Sequence, residues 1–318
     1  MRARLAALIA GFATAACTAV FFQPHRIQVL TPDKVGLDYQ EVRFKTRDGL
    51  ELTGWFLPAQ GPALGTVLQL HGNAENISTH FTSLAWMPAR GFNVFIFDYR
   101  GYGGSEGSPS LEGAQTDIDA AMETLLARDD IDRTRIVMYG QSLGGALAAY
   151  YVAHTQRRDR IRALVLESAF SDYVEIAQEK FADHWITWPF QWIPHLSVDD
   201  RFSPLPGMAK ISPIPLLILH GDQDRTVPMR HGKILYDAAR EPKQLWIVPG
   251  AGHIQTTGSP AVRDRLVAWL RGVLAGTPSS SPASRKTSAA ILSSPPSRQR
   301  GGDNAAGPSS STLPRSSG

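Results

Sequence analysis

The stretch that most constrains this chain is Gly140-Gln-Ser142-Leu-Gly144. It follows the apolar, β-branched run Ile136-Val-Met-Tyr139 and leads into Ala146-Leu-Ala-Ala-Tyr150. A buried strand must therefore turn sharply into a helix, with one hydroxyl at the apex. Gly140 and Gly144 relieve crowding in such a turn, and the helix N-terminus offers unpaired N–H groups beside the hydroxyl. For Ser142 to act as a nucleophile, the rest of the chain has to supply a base, an acid that orients the base, and donors for an oxyanion.

The hydrophobic pattern on either side supplies a frame for those groups. Alternating segments at 41–46 and 51–57 flank Arg47-Asp-Gly49, which predicts a hairpin. Apolar runs at 66–70, 92–97, 136–139, 163–166, 216–219 and 245–248 read as buried strands. Helical stretches separate them. The best, 111–127, puts Leu111, Ala114, Ile118, Ala121, Met122 and Leu125 on one stripe. The order predicts an α/β fold over residues 35–274: a mostly parallel, eight-stranded sheet with helices on both faces. Ligand chemistry then belongs at the C-terminal ends of the strands. Between about 169 and 214 the pattern loosens into prolines and aromatics, among them Phe170, Tyr173, Trp185, Trp188, Phe190 and Trp192. This predicts a short cap inserted over the sheet, with an apolar wall beside the site.

Each strand end carries a useful residue. His71-Gly-Asn73 follows the first buried strand, and the N–H of Asn73 is placed to face a developing oxyanion. His71 itself reads as a structural hydrogen-bonder. Asp98-Tyr-Arg100 and three nearby glycines read as a loop near the site whose geometry Asp98 and Arg100 hold. Leu143 opens the helix after Ser142, and its N–H is the second oxyanion donor. His220-Gly-Asp222-Gln-Asp224 offers two carboxylates. Asp224, deeper in the loop, is the choice for orienting an imidazole, and Asp222 reads as a bonder of loop backbone. Gly250-Ala-Gly-His253 presents an imidazole after the last buried strand and completes the order Ser…Asp…His.

Composition narrows the alternatives. The net charge of +3 comes from the ends: Arg2 and Arg4 at one, and Arg285, Lys286, Arg298, Arg300 and Arg315 against Asp303 at the other. The core is slightly acidic, which speaks against nucleic acid as a partner. A single cysteine, Cys17, excludes a disulfide framework or a cysteine-built metal site within one chain. No His-x-x-x-His pair stands beside carboxylates, so no metal and no cofactor is expected. Residues 1–22 read as a signal peptide or membrane anchor, with two arginines ahead of 18 uncharged residues, 5–22. Ala15-Ala-Cys17 resembles the lipidation site of a bacterial lipoprotein, although Thr14 stands where such signals usually carry Leu. An uncleaved anchor or secretion are the other readings. Residues 275–318, rich in Ser, Pro and Gly, read as a disordered tail.

Taken together, His71-Gly-Asn-Ala-Glu-Asn76, Asp98-Tyr-Arg-Gly-Tyr-Gly103, Gly140-Gln-Ser-Leu-Gly-Gly145, His220-Gly-Asp-Gln-Asp224 and Gly250-Ala-Gly-His253 resemble an α/β-hydrolase. They resemble in particular a subgroup with bacterial membrane-associated or lipoprotein-like hydrolases, eukaryotic hydrolase-domain proteins and protein depalmitoylases. The resemblance implies a serine hydrolase with Ser142, Asp224 and His253 as its triad, but not its substrate; a small-molecule or acyl-group substrate is expected, and the N-terminal segment points to the bacterial cell envelope. A carboxylic ester is the first expectation, and a thioester or peptide bond on the same triad is the alternative. A non-catalytic, envelope-tethered binding protein is a further reading, although such proteins usually lack a triad member and none is missing here.

Overall fold

The computed structural model describes residues 21–182, 188–276 and 290–291. Cys17 with residues 1–20, Trp185 in the cap, and the tail from residue 277 on, apart from Ala290 and Ile291, lie outside the described residues.

The chain opens with β1 (Gln23–Pro24), then the hairpin β2 (Gln40–Lys45) and β3 (Glu51–Leu57). Next come β4 (Gly65–Leu70), β5 (Ala74–Glu75), α1 (Ile77–His80), β6 (Phe92–Phe97), α2 (Leu111–Ala127), β7 (Ile136–Gln141) and α3 (Leu143–His154). The cap lies between β8 (Ile161–Glu167) and β9 (Leu216–Gly221), and contains α4 (Tyr173–Ala182), α5 (Pro194–Ser197) and α6 (Met208–Ile211). The domain closes with α7 (Arg230–Ala238), β10 (Lys243–Val248) and α8 (Pro260–Leu274), followed by β11 (Ala290–Ile291).

The main sheet runs β11-β10-β9-β8-β7-β4-β6-β3-β2. All neighbours are parallel except β3 with β6 and β2 with β3. The eight strands expected from the sequence are present, and Ala290–Ile291 adds a ninth beside Trp246 and Ile247. The chain builds β6 on one side of β4 and then crosses to build β7 on the other. That reversal opens a crevice at the ends of β4 and β7, where Leu70 pairs with Gly140.

Alternation along the strands feeds two cores. Ile136 and Met138 join α2 and α3 on one face, while Val137 and Tyr139 join α8 on the other. All six stripe residues of α2 are buried. Its start is fixed by Ser110, whose hydroxyl accepts from Gly113 N at 3.0 Å.

Two expectations are revised. The packed chain reaches back to Phe21, ahead of residue 35: Phe21 and Phe22 are buried, and β1 pairs with β5. Two-residue pairing carries no periodic signal, so the sequence shows it only as linker. The cap aromatics also divide. Phe170 and Tyr173 are buried with Phe21, whereas Trp188, Phe190 and Trp192 are exposed.

Candidate active site

Ser142 occupies the turn between β7 and α3 with φ 52° and ψ −117°, a left-handed conformation that an L-residue adopts at a cost. It is held there by Ser142 N donating to Glu167 O at 2.9 Å, and by Gly145 N and Ala146 N donating to Ser142 O. The flanking glycines are required by contact. A Cβ on Gly140 would sit 2.3 Å from Gly144 O, and one on Gly144 would sit 2.2 Å from Leu70 O. The start of α3 is therefore pressed against the end of β4. Ser142 is only 7% exposed, and its hydroxyl makes no hydrogen bond among the described residues.

Across the crevice, His253 Nδ1 lies 2.9 Å from Asp224 Oδ2 and 3.1 Å from Oδ1. Asp224 Oδ1 also accepts from Thr226 N at 2.9 Å and Val227 N at 2.8 Å, so the loop itself aims the carboxylate. Burial alone would raise the Asp224 pKa. The bond and charge of His253, with Val227 N–H and the Ser168 hydroxyl, outweigh burial and hold it below 3.8. Asp222 does what the sequence suggests and accepts from Gly250 N at 2.7 Å. A carboxylate facing Nδ1 leaves Nε2 of His253 as the atom for proton transfer.

The His253 loop is tied down from below by residues the sequence reading missed. Glu167, fully buried at the end of β8, accepts from Tyr139 Oη and Gln141 Nε2, each at 2.8 Å, and from Thr256 N at 3.0 Å and Thr256 Oγ1 at 2.5 Å. Ser168 Oγ accepts from Ile254 N at 3.2 Å. A carboxylate ending an apolar strand, Leu164-Val-Leu-Glu167, is the signal that could have found this knot.

The third loop, after β4, meets the other two. A Cβ on Gly72 would lie 3.8 Å from Ser142 Cβ, 3.7 Å from Ile254 Cδ1 and 3.2 Å from His80 Cε1. Asn73 N has no acceptor among the described residues, and Leu143 N, first in its helix, has no acceptor in its own helix. His71 is buried, with Nδ1 2.8 Å from Gly72 O and its ring 4.2 Å from that of Tyr99. Burial, then the neighbouring His80, depresses its pKa, and it stays a neutral structural group. Arg100 bonds Asp117 and Asp48, while Asp98 Oδ1 accepts from Ile77 N at 2.9 Å, so both hold loops as expected.

Four non-glycine residues have positive φ among the described residues: Glu75, Ser142, Ser168 and Ile254. Each lies on one of the loops just described. Glu175, Glu179 and His231 form the one group with metal-ligand spacing among the described residues. Arg230 pairs with both carboxylates and His231 Nε2 lies 2.9 Å from Glu179, so the cluster is already an ion-pair knot joining α4 to α7.

The sequence profile of the prolyl oligopeptidase family matches residues 78–277. This chain belongs to that family, within the α/β-hydrolase superfamily. As a family member it is 39% identical over 221 residues to YfhR of Escherichia coli (strain K12), covering 68% of this chain and 73% of that one. It is 34% identical over 247 residues to the alpha/beta hydrolase domain-containing protein WAV2 of Arabidopsis thaliana, covering 71% and 76%. The Pyrococcus furiosus esterase Pf2001 shares the fold, with a TM-score of 0.63 at 20% identity over 80% of this chain and 98% of that one. Hydrolysis is thus the chemistry of the superfamily to which the chain belongs.

Proposed function

We propose that this hydrolase cleaves carboxylic esters by a two-step acyl transfer to water. Ser142 Oγ attacks the carbonyl carbon while His253 Nε2 takes its proton. Asp224 holds the imidazole in the required tautomer and balances the imidazolium. Asn73 N and Leu143 N receive the oxyanion. His253 then gives its proton to the leaving oxygen, and water repeats the sequence on the acyl-enzyme, releasing the acid and free Ser142. The observation that carries the reading is the His253–Asp224 bond, in a chain whose sheet also places a serine on strained backbone at its switch point. The Ser142–His253 contact is not formed here, and such contacts commonly tighten only with substrate in place.

Ser142→Ala should lower p-nitrophenyl ester turnover by at least about 10³-fold while the protein stays folded. It should also abolish labelling by a fluorophosphonate. Turnover close to wild type in that variant would sink the reading. The family also gives weight to amide substrates, so the assay should span acyl esters, thioesters and aminoacyl amides. We further propose that the stretch ahead of the buried Phe21 tethers the enzyme to the bacterial envelope, either as an uncleaved anchor or through lipid on Cys17. Release of a Cys17→Ser protein from the membrane fraction would select the lipid route.

A further inference from the structure

The loop carrying Asn73 takes its support from outside the main sheet. Leu143 N is fixed by α3, but residues 71–76 leave the sheet after β4 and carry a left-handed Glu75. Their backbone groups find partners in a segment some fifty residues earlier. Gln23 N donates to Asn73 O at 2.8 Å, and His25 N donates to Glu75 O at 3.1 Å. Asn76, buried, donates from Nδ2 to His25 O at 2.9 Å and to Ile27 O at 2.8 Å. Its Oδ1 accepts from Ser78 N, capping α1. Val29 N donates to Ser78 Oγ at 2.9 Å.

Tyr102 completes the arrangement. Its hydroxyl donates to Asn73 O at 2.6 Å and accepts from Gln23 N at 3.1 Å, so one carbonyl is gripped from two directions. The segment itself is moored at both flanks. Phe21 packs edge-on to Tyr173 at 4.9 Å, and His25 O accepts from Gly103 N at 2.9 Å.

We propose that residues 21–29 form a strap that positions the oxyanion donor Asn73 N, with Gln23 and Tyr102 as positioning residues. This rests on the assignment of Asn73 N to the oxyanion. The carbonyl of Asn73 and its N–H flank one Cα, so gripping the first limits where the second can point. The strap begins at the buried Phe21, where the uncharged stretch of the N-terminus ends, so whatever seats the residues ahead of it is linked through the strap to the oxyanion loop.

The test uses the full chain with Tyr102→Phe, which keeps the ring and removes the hydroxyl, and Gln23→Pro, which removes the N–H. Fluorophosphonate titration counts active sites. Per active site, kcat on a p-nitrophenyl ester should fall about tenfold or more, against about 10²–10³ for outright loss of one oxyanion donor. KM should stay within about twofold. Affinity for an alkyl boronic acid, which makes a tetrahedral anion on Ser142, should fall by the same factor as kcat. A merely structural role would instead lower the number of active sites and leave kcat per site unchanged. If Gln23→Pro does not fold, Tyr102→Phe alone decides. Wild-type kcat and boronate affinity per site in Tyr102→Phe overturn the strap proposal. Activity surviving Ser142→Ala would instead overturn the hydrolytic reading beneath it.

Discussion

Ser142, Ser168 and Ile254 sit on left-handed backbone, tied by Glu167 O, by Ile254 N on Ser168 Oγ, and by the buried Glu167 carboxylate on Thr256. In the cap between β8 and β9, Trp188 is 61% exposed and Trp192 57%, on one short turn and the segment after it. The loops at the strand ends have little room: an added methyl at Gly144 or Gly221 would meet a backbone carbonyl at 2.2 or 2.1 Å. The cap, among the described residues, leaves Trp188, Phe190 and Trp192 exposed. On the proposed reaction, the difference would separate chemistry from choice of substrate: the sheet ends would direct the proton, and the cap would vary what is brought there.

Experiments that strike the two regions separately sharpen this division. After Ser142→Ala, the largest effect belongs to Asp224→Asn. An amide in place of the carboxylate favours the wrong imidazole tautomer, and kcat should fall about 10³–10⁴-fold with KM little changed. Asp222→Asn, whose side chain bonds only Gly250 N, should cost far less in the same assay. A larger loss at Asp222 would exchange their roles.

Asp98 gives an effect of intermediate size, in stability rather than rate. Burial raises its pKa from 3.8 to about 7, against the opposing bonds from Ile77 and Gly104. A carboxyl with a raised folded pKa stabilises fully below its unfolded value of 3.8, and loses that contribution as pH rises through about 7. Urea unfolding of the wild type should therefore show stability falling by a few kcal/mol, in order of magnitude, across that window. Asp98→Asn should flatten the slope. An unchanged slope would mean that Asp98 stays ionised throughout.

The smallest effect is expected in the cap. Trp188→Ala with Trp192→Ala should leave p-nitrophenyl acetate turnover within about twofold, since exposed substitutions away from the reacting groups cost little. KM for long-chain esters should rise. Equal losses on short and long esters would join the cap to the chemistry and break the division drawn above.

Much of this site was legible in the sequence because it lies at strand ends. Apolar runs mark where a parallel strand stops, and the residues just beyond, Asn73, Ser142, Asp224 and His253, inherit their neighbourhood from the sheet. Asp224 was separable from Asp222 because it lies deeper in its loop. Glu167 was visible as an oddity and went unread, since its partner Thr256 is 89 positions away. The strap was hidden for another reason. Gln23 and His25 act through backbone N–H and C=O groups, which every residue type carries, so their side chains announce nothing. Left-handed φ at Glu75 and Ile254 was equally silent, because tertiary bonds impose it on residues that do not favour it.

Those four left-handed positions bear on thermal endurance. Each costs roughly 1–3 kcal/mol, in a fold whose whole margin is typically about 5–15 kcal/mol. Glycine at any of them would relax the backbone, and at Ser142 it would also remove the hydroxyl. On the proposed reaction, the strain at Ser142 is the one that glycine could relieve only at the expense of the nucleophile.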